Sequence, residues 1–216
     1  MNQVFSGIFR EGKNLFTINL VPGTKVYGER LIKKDKEYRE WDAERSKLGA
    51  AILNGLNEFP IIEGSKILYL GASTGTTPSH VSDIVGKKGI VYSVEFSERV
   101  FRNLLQLAEK RSNIAPIFAD ARKIEDYKWV EEVDAVYVDI ADPQEGEIAI
   151  RNADEFLKQG GILFIAIKSQ SIDVTKNPQE VYKEEKNRLE KAGYKVLQLI
   201  DLEPWQEKHA MIVARK

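Results

Sequence analysis

The segment that begins at Lys66 and ends at Glu95 most restricts what this chain can fold into. An apolar run stops at Gly71, a loop of small residues with a second glycine at Gly75 follows, and a second apolar run ends in Glu95. Strand, glycine-rich loop, helix, strand and terminal acid are typical of the first half of a nucleotide-binding βαβ unit. The same pattern also occurs in parallel-sheet turns that bind no ligand, so the pattern alone leaves both interpretations open.

The chemistry of this loop favours a nucleoside over a dinucleotide. Gly71 and Gly75 are spaced G-x-x-x-G instead of G-x-G-x-x-G, and the loop has no P-loop lysine, which disfavours pyrophosphate binding. Glu95 follows Gly71 by 24 residues, and a carboxylate there can accept both hydroxyls of a ribose. An adenosine ligand without phosphates, such as S-adenosylmethionine, therefore fits the loop best.

The composition of the whole chain excludes several classes of protein. Its 216 residues contain no cysteine and only two histidines, His80 and His209, so neither a disulfide framework nor a metal cluster is expected. No run approaches the ~20 apolar residues of a membrane span, and the N-terminus lacks a signal-peptide pattern, so we expect no membrane contact and a cytoplasmic protein. The net charge of −1 is unusual for an autonomous RNA binder, so any RNA substrate should be held by another component.

The chain divides into two predicted parts. Residues 1–34 contain short runs of β-branched and aromatic residues separated by turns, which predicts a small antiparallel N-terminal β lobe, and residues 35–216 form the main domain. A helix is predicted over Asp35–Phe59. Lys47 lies beside the apolar face of that helix, so periodicity alone indicates a solvated lysine. His80 is predicted to be a structural histidine that bonds to a loop carbonyl.

The main domain alternates strands and helices, which predicts an α/β fold with a mostly parallel, doubly wound sheet. The last two predicted strands, Tyr194–Ile200 and His209–Ala214, are joined by too few residues for a crossover helix and should pair antiparallel. Five parallel strands and a terminal hairpin are the layout of the Rossmann-like class I methyltransferases.

Charged residues end nearly every predicted parallel strand. Because ligands of such sheets bind at the carboxyl ends of the strands, these residues predict a site. Asp139 and Lys168 end two strands that should be neighbours, and they could form a plain salt bridge or a catalytic pair. A lysine that accepts a proton near neutral pH needs its pKa lowered by burial or by a second positive charge, which Lys47 could supply.

These residues belong to a longer resemblance that spans nearly the whole chain. The matching stretches are VPGTKVYGE, YREWDAERSKLGAAI, LGASTGTTPSHVSD, VYSVEFS, FADAR, VYVDIADP, IKSQSID and HAMIVA. In them the chain resembles archaeal fibrillarin, the methyltransferase of box C/D guide-RNA particles. The resemblance implies a small β lobe on a class I methyltransferase domain and methyl transfer from S-adenosylmethionine to ribose 2′-hydroxyls of rRNA, and possibly tRNA.

The resemblance also assigns residues and partners. The implied cofactor-binding residues are Gly71, Ala72, Ser73, Thr76, Thr77, Glu95, Phe96, Asp120, Ala121, Asp139, Ile140, Ala141 and Asp142. The implied catalytic set is Lys47, Asp139, Lys168 and His209, with Lys168 as the base and Asp139 orienting it. The implied partners are a Nop-domain scaffold protein, a box C/D guide RNA with its target, and, indirectly, a kink-turn-binding protein.

The chain departs from the family pattern at Asp142, Gln144 and Glu145, where the family usually has Gln, then Asn-Gln or Asp-Gln. These departures lie near the expected methionine end of the cofactor. A stand-alone or small-molecule S-adenosylmethionine methyltransferase shares the same cofactor site and remains an alternative. A non-catalytic assembly subunit of a ribonucleoprotein is a second alternative.

Overall fold

The computed structural model describes residues 1–216 as two sheets with helices on both faces of the larger one. The smaller sheet is antiparallel, has the strand order β1-β2-β3-β5-β4, and consists of β1 Asn2–Phe5, β2 Ile8–Glu11, β3 Asn14–Ile18, β4 Leu31–Lys33 and β5 Glu37–Trp41. An antiparallel N-terminal β lobe was expected from the sequence, and it is confirmed.

The predicted helix over Asp35–Phe59 is wrong in its first half. Glu37–Trp41 is a strand that pairs with β3, and the helix itself covers only Lys47–Leu53. Pairing with β3 makes this segment a strand in spite of its helical periodicity. The periodicity could not indicate this, because β3 lies about twenty residues earlier in the chain. Ser46 caps the helix by accepting a hydrogen bond from the Gly49 N–H at 3.2 Å.

The small sheet also differs from the predicted lobe in detail. The stretch Val21–Glu29 is a loop, and strands β4 and β5 follow it. The predicted boundary between residues 34 and 35 falls between these two paired strands. The division into domains of residues 1–34 and 35–216 stays a prediction, but the sheet itself continues to Trp41.

The larger sheet has seven strands in the order β11-β12-β10-β9-β6-β7-β8. The strands are β6 Lys66–Leu70, β7 Ile90–Glu95, β8 Ile114–Phe118, β9 Val133–Val138, β10 Leu157–Lys168, β11 Lys195–Asp201 and β12 His209–Arg215. Strands β6 to β10 are mutually parallel, and β12 runs antiparallel to both of its neighbours, which confirms the predicted C-terminal hairpin. Strands β7 and β8 are added on one side of β6, and β9 and β10 are added on its other side. The order of strand addition therefore reverses between β6 and β9, which is the position where such folds bind ligands.

Six helices accompany the sheets. They are α1 Lys47–Leu53, α2 Thr76–Val85, α3 Glu98–Lys110, α4 Glu145–Phe156, α5 Ser169–Ile172 and α6 Pro178–Lys191. The central strands are buried on both faces, which explains their nearly continuous apolar sequences. One of the two hydrophobic cores extends from the large sheet to Ile8, Leu15 and Trp41 of the lobe. No helix combines the length and the apolar character that a membrane crossing requires.

A buried ionic network joins the lobe to the main domain through Asp83 of α2. Its carboxylate lies 3.0 Å from Arg39 Nε of the lobe and 2.6 Å from Arg111 NH1, and these three side chains are fully buried. Thr17 Oγ1 and the Leu20 N–H, both from the lobe side, donate to the same carboxylate at 2.8 and 2.9 Å. A second buried carboxylate, Glu29, lies 2.9 Å from the Arg39 guanidinium, so the network sets two carboxylates against two guanidinium groups where water is excluded.

His80 of α2 belongs to the same interface and is structural, as predicted, but its partners differ from the predicted carbonyl. Its Nδ1 lies 2.8 Å from Thr17 Oγ1 and its Nε2 lies 2.7 Å from the Tyr27 hydroxyl. The ring stacks on Trp41 with centroids 4.8 Å apart. Burial lowers the pKa of His80 well below its ordinary value, and Arg39 and Arg111 lower it further, so the imidazole is neutral.

The network predicts a large loss of stability when its central charge is removed. Asp83→Asn keeps the shape of the side chain but leaves the buried Glu29, which pairs with Arg39 at 2.9 Å, as the one carboxylate for two buried guanidinium groups. We therefore expect a loss of about 3–5 kcal/mol of unfolding free energy. Urea denaturation measures this difference. The control is Glu98→Gln, which removes an exposed pair with Arg102 and should cost less than about 1 kcal/mol. Equal losses in the two variants would contradict the importance of the network.

Candidate active site

The site lies where β6 and β9 diverge, and it requires a glycine at position 71. Gly71 has a φ of +82°, and a Cβ at this position would lie 2.1 Å from the Asp139 carbonyl oxygen. The loop after Gly71 turns sharply, and Ser73 has a φ of +50°, a region that residues with a side chain rarely adopt. Backbone strain of this kind often marks functional sites.

Glu95, at the end of β7, holds this loop. One carboxylate oxygen accepts the Ser73 N–H and the other accepts the Ser97 N–H, both at 2.8 Å. The side chain is therefore fixed between the loop and the start of α3. Each oxygen keeps a further lone pair, so the carboxylate can still accept the two hydroxyls of a ribose.

Two adjoining cavities open on this edge of the sheet, and they share Gly71, Ser73 and Asp139. The first, of about 170 Å³, is mostly apolar, and its other lining residues are Val94, Glu95, Phe96, Ala119, Ala121, Ile140 and Ala141. The second, of about 230 Å³, is mostly polar, and its other lining residues are Arg45, Lys47, Tyr69, Ala72, Thr74, Thr76, Thr77 and Pro78. Together they form one groove with an apolar end and a polar end.

Eleven of the thirteen residues predicted to bind the cofactor line this groove, and Asp120 and Asp142 do not. Both of these acids contact Arg122, whose NH2 lies 2.7 Å from Asp120 Oδ2 and whose NH1 lies 3.7 Å from Asp142 Oδ2. Hydrogen bonds from Arg122 lower the pKa of Asp120. Sequence reasoning did not identify Arg122, because a single exposed arginine carries no distinguishing pattern.

Lys47 and Asp139 form an ion pair at the polar end of the groove. Lys47 Nζ lies 2.8 Å from Asp139 Oδ1, and both side chains are about one-fifth exposed, at 21% and 23%. Periodicity alone suggested a solvated lysine, and that interpretation is wrong. The short α1 helix begins at Lys47, after the Ser46 cap, and carries its side chain to the sheet edge.

The predicted contact between Asp139 and Lys168 is not seen. Strands β9 and β10 are neighbours, as expected, but their register pairs Val138 with Ile165, so Lys168 extends two residues beyond Asp139. Lys168 is exposed and instead pairs in register with His209 of β12. The Asp139 carboxylate is therefore directed to Lys47.

His209 lies within electrostatic reach of the three other predicted catalytic residues. Its Nδ1 lies 2.6 Å from the Glu207 carbonyl oxygen, so Nδ1 donates to that oxygen and Nε2 carries the free lone pair. Burial lowers the pKa of His209, the Glu207 carbonyl raises it, Lys47 and Lys168 lower it, and Asp139 raises it. The net lowering favours a neutral imidazole at pH 7.

A residue that sequence reasoning quoted only as part of a motif, Ser169, fixes this end of the site. Its N–H and its Oγ both donate to the Lys208 carbonyl oxygen, at 3.3 and 3.0 Å. Lys208 has a φ of +57°, a strained conformation for a residue with a side chain. The two bonds hold the strained turn that precedes His209 and thereby fix His209 beside Lys168.

The model of the fibrillarin family matches residues 1–216. The chain belongs to the fibrillarin family. A fibrillarin-like rRNA/tRNA 2′-O-methyltransferase from Sulfolobus acidocaldarius is 57% identical over 99% of this chain and 94% of that protein.

Two solved fibrillarin structures are closely similar. Aeropyrum pernix fibrillarin, in complex with natively bound S-adenosyl-L-methionine, is 51% identical and superimposes with a TM-score of 0.87 over 93% of this chain and 88% of that one. The fibrillarin of a fibrillarin/Nop5p complex is 38% identical, with a TM-score of 0.91 over the full length of both chains. The resemblance that the sequence motifs suggested is thus confirmed.

Within this fibrillarin-family site, Glu145 is a buried acid close enough to Asp139 for the two carboxyl groups to interact electrostatically. Its Oε1 accepts the Ile140 N–H at 3.2 Å, and its Oε2 is buried without a hydrogen-bond partner. Burial raises the pKa of Glu145 well above its ordinary value, and Asp139 and Glu185 raise it further, while the Ile140 N–H and Lys47 oppose the shift. The neutral acid is therefore favoured, and it holds the turn at Ile140 that walls the apolar cavity.

We expect Glu145→Gln to stabilise the protein increasingly as the pH rises. The unfolded chain releases the Glu145 proton near pH 4.5, whereas the folded chain retains it, so ionisation destabilises the wild type above that pH. Glutamine keeps the acceptor for Ile140 and has no proton to lose. Thermal unfolding between pH 4 and 8 should show a Tm advantage of the variant that is smallest at pH 4.

The control for this measurement is Glu147→Gln, in the same helical turn. Glu147 is half exposed and pairs with Arg188. Its replacement should give no such gain in Tm at alkaline pH. A Tm difference between Glu145→Gln and wild type that does not change with pH would contradict a neutral Glu145.

Proposed function

We propose that this chain is the catalytic subunit of a box C/D ribonucleoprotein, and that it transfers a methyl group from S-adenosylmethionine to ribose 2′-hydroxyls of rRNA, or of tRNA, at positions chosen by a guide RNA. The observation that carries the proposal is the two-part groove at the switch point of the sheet, whose polar end is closed by the Lys47–Asp139 pair. Membership of the fibrillarin family indicates that the groove binds S-adenosylmethionine and that the reaction is 2′-O-methylation.

The groove fits S-adenosylmethionine in each of its parts. The apolar cavity suits an adenine, and Glu95 at its edge suits the ribose hydroxyls. At the polar end, α2 begins at Thr76 behind a left-handed Gly75, so the N–H groups of its first turn are free for the methionine carboxylate. The Thr77 hydroxyl donates to Ser46 at 2.9 Å, so its N–H is the group available to the cofactor.

Asp120 and Asp142 have a different role in this proposal, and Asp142 lies at the adenine end of the groove instead of near the methionine end, where the sequence comparison with the family had suggested it. They form the rim of the adenine cavity, and Arg122 must release Asp120 before that acid can accept a hydrogen bond from the adenine amino group. Because Arg122 is more than half exposed, at 55%, exchanging its contacts for water costs little. Gln144 and Glu145 then shape the turn at the base of the cavity without touching the cofactor.

Bound S-adenosylmethionine supplies an electrophilic methyl group on its sulfonium. The residues of the chain orient the ribose oxygen toward that methyl group, and positioning of this kind provides most of the rate in two-substrate transfers. Asp139 holds Lys47 at the polar end of the groove. Lys168 is exposed and Lys47 pairs with Asp139, so the step uses the unprotonated form of Lys168, whose Nζ has a lone pair that accepts the proton of the 2′-hydroxyl. The neutral His209, with its free Nε2, stabilises the lysine or a bridging water.

The proposal requires partners because the chain carries a net charge of only −1. Most of the affinity of proteins for RNA comes from phosphate contacts made by basic residues. A Nop-domain scaffold protein, of the kind seen with a related fibrillarin, would dock on this chain, and a kink-turn-binding protein would anchor the scaffold on the guide RNA. A cytoplasmic location is part of the same proposal.

Methyl transfer from labelled cofactor to a target RNA tests the function. We expect the purified chain to bind S-adenosylmethionine but to methylate RNA poorly. Adding the scaffold, the kink-turn binder and the guide RNA should restore transfer at one ribose, and a changed guide should move the methyl group. Efficient, selective methylation by the isolated chain would indicate a stand-alone enzyme, and cofactor binding without transfer in the particle would indicate an assembly subunit.

Lys168→Ala should reduce the transfer rate in the particle by about 10²–10⁴-fold, because general-base catalysis contributes that much. Calorimetric affinity for S-adenosylmethionine should stay within twofold of wild type. Lys168→Arg separates two roles, since arginine keeps the charge but cannot accept a proton. If Lys168→Arg restores the rate, Lys168 binds RNA by charge and is not the base. Lys195→Ala, an exposed lysine on the outer strand β11, is the control.

A further inference from the structure

Arg45 is a cation at the site whose charge has no acidic partner. It ends the short 3₁₀ helix Ala43–Arg45, is exposed, and lines the polar cavity beside Lys47. Lys47 pairs with Asp139, but no carboxylate lies within ion-pairing distance of the Arg45 guanidinium. Of the two cations that line the polar cavity, Lys47 is therefore paired with an acid and Arg45 is not.

The guanidinium of Arg45 is nevertheless held in place. Its NH1 donates to the Tyr27 carbonyl oxygen at 3.2 Å, and its Cζ lies 5.5 Å from the centre of the Tyr27 ring. Tyr27 is itself fixed, because its hydroxyl lies 2.9 Å from the Glu40 carbonyl oxygen and 2.7 Å from His80 Nε2. One edge of the guanidinium is thus used for positioning, and the remaining N–H donors are free.

The chemistry of the substrate brings an oxyanion to this wall. In RNA the carbon that bears the 2′-hydroxyl adjoins the carbon that bears the 3′-phosphodiester. When a ribose places its 2′-oxygen beside Lys47 and Asp139, its 3′-phosphate therefore lies within a few ångströms of the same wall of the polar cavity, which Arg45 also lines. An arginine fork matches the geometry of phosphate oxygens and binds them in a bidentate manner.

We propose that Arg45 binds the 3′-phosphodiester of the nucleotide being methylated, a role that rests on the proposed function. This contact orients the ribose against the groove, while the guide RNA chooses the nucleotide. The methionine carboxylate of the cofactor is the other oxyanion that could reach the same cavity. The experiment must therefore separate RNA from cofactor.

The test uses the reconstituted particle, with target RNA already paired to the guide. Arg45→Ala should slow methyl transfer about tenfold to a hundredfold, as expected for the loss of charge-assisted hydrogen bonds. Arg45→Lys should recover only part of the rate, because lysine lacks the fork. Calorimetric affinity for S-adenosylmethionine should stay within twofold of wild type. The control is Arg30→Ala, an exposed arginine that pairs with Glu40 and does not line the polar cavity.

A target RNA with one phosphorothioate at the 3′ linkage of the methylated nucleotide identifies the phosphate itself. The wild type should methylate the Rp and Sp isomers at different rates, and Arg45→Ala should methylate them at equal rates, since the two changes remove the same contact and are not additive. A partial loss of folding would lower the rates for both isomers by the same factor and leave their ratio unchanged.

Three results would overturn the proposal. An unchanged isomer ratio in Arg45→Ala means that Arg45 does not touch this phosphate. A fall in cofactor affinity without a change in RNA behaviour assigns Arg45 to the methionine carboxylate. An unchanged transfer rate means that Arg45 has no role in the reaction. Failure of the wild-type particle to methylate RNA would instead refute the proposed function, so the two failures are distinguishable.

Discussion

The buried charge of Asp83 is the interaction on which the arrangement of the two sheets depends. A carboxylate without water is tolerated only when donors surround it, and here Arg39 and Arg111 supply two charged ones. Arg39 comes from the small sheet and Arg111 follows helix α3, so compensation of one charge ties three parts of the chain together. Loss of the Asp83 charge would leave Glu29 as the one buried carboxylate beside both guanidinium groups.

The positions of residues in the candidate active site depend on the interface between the small sheet and the main domain. Helix α2, which carries Asp83, begins beside the groove, and its Thr77 donates to Ser46, the cap of helix α1. The cap fixes the first residue of α1, Lys47, which then reaches Asp139 across the sheet edge. A series of short contacts therefore connects the attachment of the lobe to the ion pair in the groove. We expect changes in the lobe to alter the position of Lys47 relative to Asp139.

Local sequence predicted the parts of the molecule that depend on local physics. The glycine loop, the strand ends and the terminal hairpin follow from turn chemistry, apolar runs and connection length, and each is found where expected. The apolar positions of the wrongly predicted helix are also buried, including Trp41 and Phe59. Burial was predictable there because it depends on the hydrophobicity of each side chain. Whether the segment forms a helix or a strand depended on pairing with β3, and local periodicity carries no information about that partner.

By itself the sequence determined the fold class, the edge of the sheet that holds the site and twelve of the eighteen residues that line the groove. Only the tertiary structure decided how the charges pair. It directs Asp139 to Lys47 and leaves Lys168 beside His209, because the register of β9 and β10 sets which side chains come within reach. It also buries Glu145 as a neutral acid. Pairing and ionisation depend on distance and on exclusion of water, and both arise from residues far apart in the chain.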